Sequence, residues 1–288
     1  MTMHIVVGVD ESEGAAGALR WAVREADARD AVLTAALVWG WLDQHHLDPG
    51  EPFDPKYHEA DALTQLEQMV AKALLTGVPP GIRLKAISDL AGPGLVRAAA
   101  DADLLVVGAR GLGGFKGLLV GSVSQHCLHH APCPVAVVRD QDDPPREIRR
   151  IVVGIDGSTT SRRALDWALD AARAHRSRVE VVHAWHPSYV NPMDAYLISS
   201  ADVLEQSART VLDEAIARAD DRDLADPIEG LLVLGSAGRA IVDVAEGADL
   251  IVVGSRQQSA AGCLFLGSTS LQVTHHADCP VVVVPPST

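Results

Sequence analysis

The chain has 288 residues, a length that suits two domains of ordinary size, each able to bury a core of its own. Its 38 acidic side chains outweigh 24 Lys and Arg, and the net charge of -14 argues against a nucleic-acid or anionic-membrane surface, which must neutralise phosphates with basic residues. The four cysteines, Cys127, Cys133, Cys263 and Cys279, form no CxxC pair and predict free thiols rather than a disulfide framework or a zinc ribbon.

Met1-Thr2-Met3-His4-Ile5 runs straight into an apolar stretch, with no basic leader before it and no membrane-length apolar segment after it, so a soluble, cytoplasmic protein is expected. Val6 to Val9, ended by Asp and Ser, reads as a strand buried on both faces. Ser12 then caps a helix whose apolar stripe is Ala18, Leu19, Ala22, Val23 and Ala26. A strand near 31–39 and a long Pro-containing loop from Gly40 to His58 follow. Next come a helix near 59–76, a strand near 82–88, a short helix near 94–101 and a strand over Leu104–Gly108. A Gly-rich loop, a helix from Ser122 and a last strand over Pro134–Val138 complete the run. Such alternation predicts an α/β fold with an open, mostly parallel sheet and helices on both faces.

The pattern then starts again. Ile5-Val6-Val7-Gly8-Val9-Asp10-Glu11-Ser12 returns as Ile151-Val152-Val153-Gly154-Ile155-Asp156-Gly157-Ser158, and the shift of 146 residues holds to the end. It aligns Trp21 with Trp167, Trp39 with Trp185, Asp103 with Asp249, Gly108 with Gly254, Gly121-Ser122 with Gly267-Ser268, and Cys133-Pro134-Val135 with Cys279-Pro280-Val281. A unit this long is a duplicated domain rather than a solenoid repeat. The predicted domains are 1–139 and 148–288, joined by a polar, Pro-containing linker over 140–147.

The densest chemical signal is Gly108-Ala109-Arg110-Gly111-Leu112-Gly113-Gly114-Phe115-Lys116-Gly117 with Gly121-Ser122-Val123-Ser124. It leaves a strand and enters a helix, where open α/β sheets bind ligands and a helix N-terminus offers unpaired N–H groups to an anion. Glycines there allow close backbone approach and positive φ, and Ser122 and Ser124 add hydroxyl donors. The plainer alternative is a Gly-rich turn with Ser122 capping its helix. Asp10, just past the first strand, is either a second anchor or a turn former. Neither GxxxxGK[ST] nor a GxGxxG after the first strand is present.

Val9-Asp10, the spacing Gly108-x2-Gly111-x9-Gly121-Ser122, and His130-Ala131-Pro132-Cys133-Pro134-Val135 resemble the universal stress protein family in its tandem form. The resemblance implies two five-stranded domains, flavodoxin-like and akin to the adenine nucleotide alpha hydrolases, with ATP, and Mg2+ where it accompanies ATP, at the carboxyl edge of the sheet. Asp10 and Val38 would flank adenine, Gly108 to Gly114 would follow ribose and phosphates, Gly121-Ser122-Val123 would hold the phosphate tail, and Gly8 and Ser124 would belong to the same site. In the second copy, Gly154, Asp156, Ala184, Gly254-Ser255-Arg256 and Gly267-Ser268-Thr269 correspond. The resemblance also implies that Val135–Val138 and Val281–Val284 pair the halves as a pseudo-dimer, as single-domain relatives dimerise, while association of two chains into a homodimer stays open. There Gln257 replaces the second glycine and Gln258-Ser259-Ala260-Ala261 replaces Leu112-Gly113-Gly114-Phe115. An added Cβ and a long amide near the phosphates predict a weaker second site.

Other candidates are weaker. His129-His130 and His275-His276 sit at helix C-termini, where histidine suits the dipole, and adjacent helical side chains do not share a face, which disfavours metal binding. His45-His46 in the long loop has no nameable catalytic partner, and Trp39, Trp41 and Trp185 read as core or pocket-wall aromatics. Lys116, Arg110 and Asp10 do not make a recognisable hydrolytic assembly. The expected function is an ATP-binding regulatory or signalling module acting on an unknown protein partner in a stress response. Its alternatives are an interaction scaffold with vestigial pockets and a slow ATP hydrolase. A nucleotidyl-transferring enzyme would need a signature such as SGGxDS, which Gly8-Val9-Asp10-Glu11-Ser12 does not supply.

Overall fold

The computed structural model describes residues 2–40, 57–75, 77–111, 120–139, 147–186, 198–255 and 267–287, the side chains of 198–201 excepted. It divides into two compact units, residues 1–145 and 146–288. In the first, strands β1 (His4–Gly8), β2 (Val32–Trp39), β3 (Ile82–Ser88), β4 (Leu104–Gly108) and β5 (Val135–Val138) alternate with helices α1 (Glu13–Arg29), α2 (Glu59–Leu74), α3 (Ala91–Ala98) and α4 (Ser122–His130). The pairings are all parallel, in the order β3-β2-β1-β4-β5. The chain winds from β1 outward through β2 to β3, then crosses to the other side of β1 for β4 and β5. That reversal opens a crevice at the carboxyl ends of β1 and β4.

The second unit repeats the arrangement with β6 (Arg150–Ile155), β7 (Arg178–Trp185), β8 (Glu229–Leu234), β9 (Leu250–Gly254) and β10 (Val281–Val284). Its helices are α5 (Thr159–His175), α6 (Ile198–Arg218), α7 (Ala237–Val244) and α8 (Ser268–His276), and its parallel order is β10-β9-β6-β7-β8.

The apolar runs form the centre because both faces of each sheet are covered. Ile5, Val6 and Val7 of β1 and Leu104, Leu105 and Val106 of β4 are fully buried. The repeat-aligned aspartates do one job twice. Asp103 accepts from the His4 N–H at 2.8 Å, and Asp249 accepts from the N–H groups of Arg149 and Arg150 at 2.9 and 3.0 Å, so each pins the start of a central strand. Beside them the copies diverge: His4 meets the Thr34 hydroxyl at 2.9 Å, whereas Arg150 forks onto both oxygens of Glu180 at 2.7 and 2.6 Å.

Two sequence expectations shift. In α1, Val23 is only half-buried, while Trp21 and Glu25 join Ala18, Leu19, Ala22 and Ala26 inside; Glu25 is tolerated there because Arg29, one turn on, pairs with it. The α3 helix starts three residues before its predicted start, at Ala91, with Pro93 in its first turn, where a missing N–H costs nothing. The linker 140–146, the loop residues 41–56 with Trp41, His45 and His46, their counterparts 187–197, and Cys263 lie outside the described residues.

Candidate functional site

The crevice of the first unit gathers residues from three strand ends. β1 delivers Gly8, Val9 and Asp10, β2 delivers Ala36 and Val38, and β4 delivers Val107 and Gly108, with Arg110 and Gly111 following. Leu95 and Ala91 of α3 supply an apolar wall, and Val123 and Ser124 of α4 the opposite side. Together they bound a cavity of about 90 Å³. Ser12 organises its acidic corner. Its hydroxyl and its N–H, the latter at 2.9 Å, donate to Asp10 Oδ1, while its Oγ accepts from the Ala15 N–H at 3.1 Å and caps α1. At the other corner the Gly121 N–H donates to the Ala109 carbonyl at 2.7 Å, and the Ala109 N–H to the Val138 carbonyl at 2.6 Å. These bonds fix where α4 begins relative to β4. No side chain caps α4, whose first intrahelical bond runs from the Gln125 N–H to the Gly121 carbonyl, so the N–H groups before it point toward the crevice end of the helix.

The glycines have causes other than the expected positive φ, which none of Gly108, Gly111 and Gly121 adopts. A Cβ on Gly108 would lie 2.6 Å from the Gly14 carbonyl carbon, so this glycine exists to let the start of α1 pack on β4. Gly8 likewise receives Leu95, at 2.8 Å from where its Cβ would stand. Gly111 faces the Asp10 carboxylate, whose Oδ2 would be 2.7 Å from an added Cβ. Gly121 is the N-cap of α4 with φ of -76°, and a Cβ there would make only ordinary contacts, the nearest at 3.5 Å.

The serines also differ from expectation. Ser122 is the first residue of α4 rather than its cap, and it is exposed. The buried Ser124 hydroxyl donates to the Gly108 carbonyl at 2.6 Å, so its proton is taken by the end of β4.

The second unit forms the equivalent crevice from Gly154, Asp156, Gly254, Ser255, Gly267 and Thr269, and its cavity is larger, about 440 Å³. It extends along the first turn of α5, through Ser158 to Ser161. Asp156 Oδ1 accepts from the Ser158 N–H at 3.0 Å. Burial pushes the Asp156 carboxyl up, yet hydrogen bonds from Ser158 and Ser161 and the His183 charge outweigh it and hold the group below the usual carboxylate range. Gly254 again receives a helix start, with Thr160 Cγ2 3.0 Å from where a Cβ would stand.

Ala109, Gly121, Ser122, Ala184 and Ser268 do not line these cavities, while Leu112, Gly113, Gly114, Phe115, Lys116 and Gly117 in the first copy lie outside the described residues. So do Arg256, Gln257, Gln258, Ser259, Ala260 and Ala261 in the second. Sequence reasoning missed Ala91, because it began α3 too late, and it did not single out Leu95, Thr160 or Ser161, whose place beside the cavity depends on contacts between distant elements. Trp39 packs edge-on against Tyr57, with ring centroids 5.5 Å apart, away from the cavity lining. His129 and His130 end α4, the His130 Nδ1–H donating to the His126 carbonyl at 2.9 Å. Among the described residues, no helix is long and apolar enough to cross a membrane.

The family model described as the universal stress protein family matches residues 1–139 and 147–285. The chain is 32% identical over 289 residues to a universal stress protein of Mycobacterium tuberculosis, covering 98% of this chain and 96% of that relative. It is 30% identical over 295 residues to one of Mycolicibacterium smegmatis, with 98% and 97% covered. The crystal structure of a universal stress protein from Archaeoglobus fulgidus matches with a TM-score of 0.63 over 98% of both chains; at 19% identity this likeness concerns the fold alone.

Proposed function

The chain belongs to the universal stress protein family in its two-domain form, and from that premise we propose that it binds adenine nucleotide, ATP foremost, as a cytoplasmic regulatory module rather than a turnover enzyme. One observation carries the reading: Asp10, Val38 and the Gly108–Gly111 backbone, from three separate strand ends, meet at the sheet's reversal point beside the uncapped start of α4. An apolar wall suits a base, a carboxylate suits an N–H or a ribose hydroxyl, and a helix N-terminus suits phosphate. Mg2+ would enter with the phosphates, since Asp10 already accepts two donors from Ser12. Among the described residues of this constellation no hydrolytic assembly is recognisable, so regulation is proposed over hydrolysis.

The small first cavity favours a second reading, a partner-binding scaffold with a vestigial pocket. A volume of about 90 Å³ falls below that of ordinary ligand sites. Native mass spectrometry of the gently purified chain distinguishes the two. Nucleotide binding gives a mass increment of ATP or ADP that Gly121→Ala, at an open backbone position beside the phosphates, removes or weakens. A chain that carries no increment and gives no calorimetric heat with ATP is the scaffold. The same spectra report whether two chains associate.

A further inference from the structure

We propose that His126 is an acid-sensitive wedge between α3 and α4, and that its protonation moves the α3 wall of the first domain's cavity. The two helices pack against each other and supply opposite sides of that cavity, Ala91 and Leu95 from α3, Val123 and Ser124 from α4. The His126 ring stands where they meet. It lies on the backbone of Gly92 in the first turn of α3, with Cγ and Cδ2 each 2.7 Å from where a Cβ would be, so only a glycine leaves room for it. Two residues on, Gly94 receives Val38 of β2 in the same way, at 2.6 Å, and Leu95 lies over Gly8. The short helix is thus held by the imidazole at one contact and by the cavity's own lining at the others, and close packing carries a displacement from one to the next.

The seat accepts a neutral ring and resists a charged one. Contact with α3 takes the imidazole partly out of water. The His130 ring stacks on it, with centroids 4.2 Å apart and planes 20° from parallel, and His129 stands edge-on to His130 with centroids 6.3 Å apart. His126 is accordingly held below the ordinary histidine value of about 6.5, first by burial and then by the charges of His130 and His129. Those two occupy the last turn of α4, where the helix end favours their protonated forms, so a third proton is opposed chiefly at His126. No acidic group among the described residues offsets this. On α3 and just before its cap, Arg97 and Asp89 pair with each other, and β5, which α4 also touches, carries no titratable side chain.

Because the folded-state pKa is the lower one, the wedge is intact at neutral pH. Its contribution drains away as pH falls below about 6.5 and is gone beneath the folded-state pKa, where the imidazolium leaves the Gly92 seat. In the second domain Gln272 takes the aligned seat over Gly238, its Cβ 2.9 Å from where a Cβ on Gly238 would stand, and an amide does not titrate. The wedge acts on the cavity wall whatever the cavity holds, so it stands apart from nucleotide binding.

The test is methyl-resolved NMR of the intact chain from about pH 8 to about pH 5, either side of histidine's ordinary value. The Leu95 and Val123 methyl signals should shift with the same midpoint as the His126 ring protons, below about 6.5. Those of Ile241, which the second domain carries at the place of Leu95, should stay where they are. His126→Gln, which installs the second domain's residue, should hold the Leu95 signals at their neutral-pH positions throughout. His130→Gln keeps the wedge and removes the charge stacked on it, so the His126 and Leu95 midpoints should both rise and remain equal. The proposal is overturned by a Leu95 transition that persists in His126→Gln, or by one that stays put while His130→Gln moves the His126 midpoint. A His126 midpoint that His130→Gln leaves unchanged overturns it as well.

Discussion

The α-carbon of Gly111 lies against the carboxylate of Asp10, so closely that a Cβ would come within 2.7 Å of Oδ2. Asp10 cannot simply swing away, because its other oxygen accepts from the Ser12 N–H and hydroxyl. Gly111→Ala should therefore break the Asp10–Ser12 clasp, and ATP affinity should fall by roughly tenfold, the scale of a charged hydrogen bond. In an Asp10→Gly background the same substitution should have little further effect. Calorimetry on the four variants of this cycle decides it, and additive losses would separate the two residues.

Gly108→Ala and Gly121→Ala should behave differently despite their similar place in the motif. A methyl on Gly108 collides with the backbone of Gly14 at 2.6 Å, which neither side can relieve locally, so a stability loss of about 1–3 kcal/mol is expected. Gly121 has room, and its alanine variant should unfold within about 1 kcal/mol of the parent. Chemical denaturation of both measures the difference; equal losses would mean that the loop and α1 are not packed as described.

Asp156 ties stability to acid. Its folded-state pKa lies below the unfolded value of about 3.9, so its stabilising contribution is complete above that value and drains away as pH falls through the folded pKa. Asp156→Asn should be less stable than the parent at neutral pH, and the two curves should converge as pH falls through the folded-state pKa of Asp156. Urea titrations from pH 7 downward check the convergence, and a constant gap across that range would assign the difference to packing.

The thiols of Cys127 and Cys133 should be inert in the folded chain. Burial pushes each up to about 12, leaving almost no thiolate at neutral pH. An alkylating reagent at pH 7.5, about one unit below the free thiol's pKa, should modify neither until denaturant is added, as peptide mapping will report.

Much of this protein could be read from its residues in order. The 146-residue repeat, the apolar runs at Val6–Val9 and Leu104–Gly108, and the punctuation between them determined two parallel α/β units, because a strand buried on both faces and an amphipathic helix leave unmistakable periods in a linear string. The same string placed Asp10 and Gly108 at strand ends, hence at one edge of a sheet. What only the tertiary structure decided is what those residues touch. Gly108 proved to be a seat for α1, Ser124 a donor to β4's last carbonyl, and Leu95 part of the cavity wall. Most tellingly, Thr160 and Ser255 are 95 residues apart in a chain where each looks like an ordinary polar residue, and only the return of β9 beside β6 brings them to one cavity. Periodicity records which face of its own element a residue occupies; it carries no record of which distant hydroxyl or helix end will stand opposite, since that depends on strand order and on how closely a glycine lets two backbones approach.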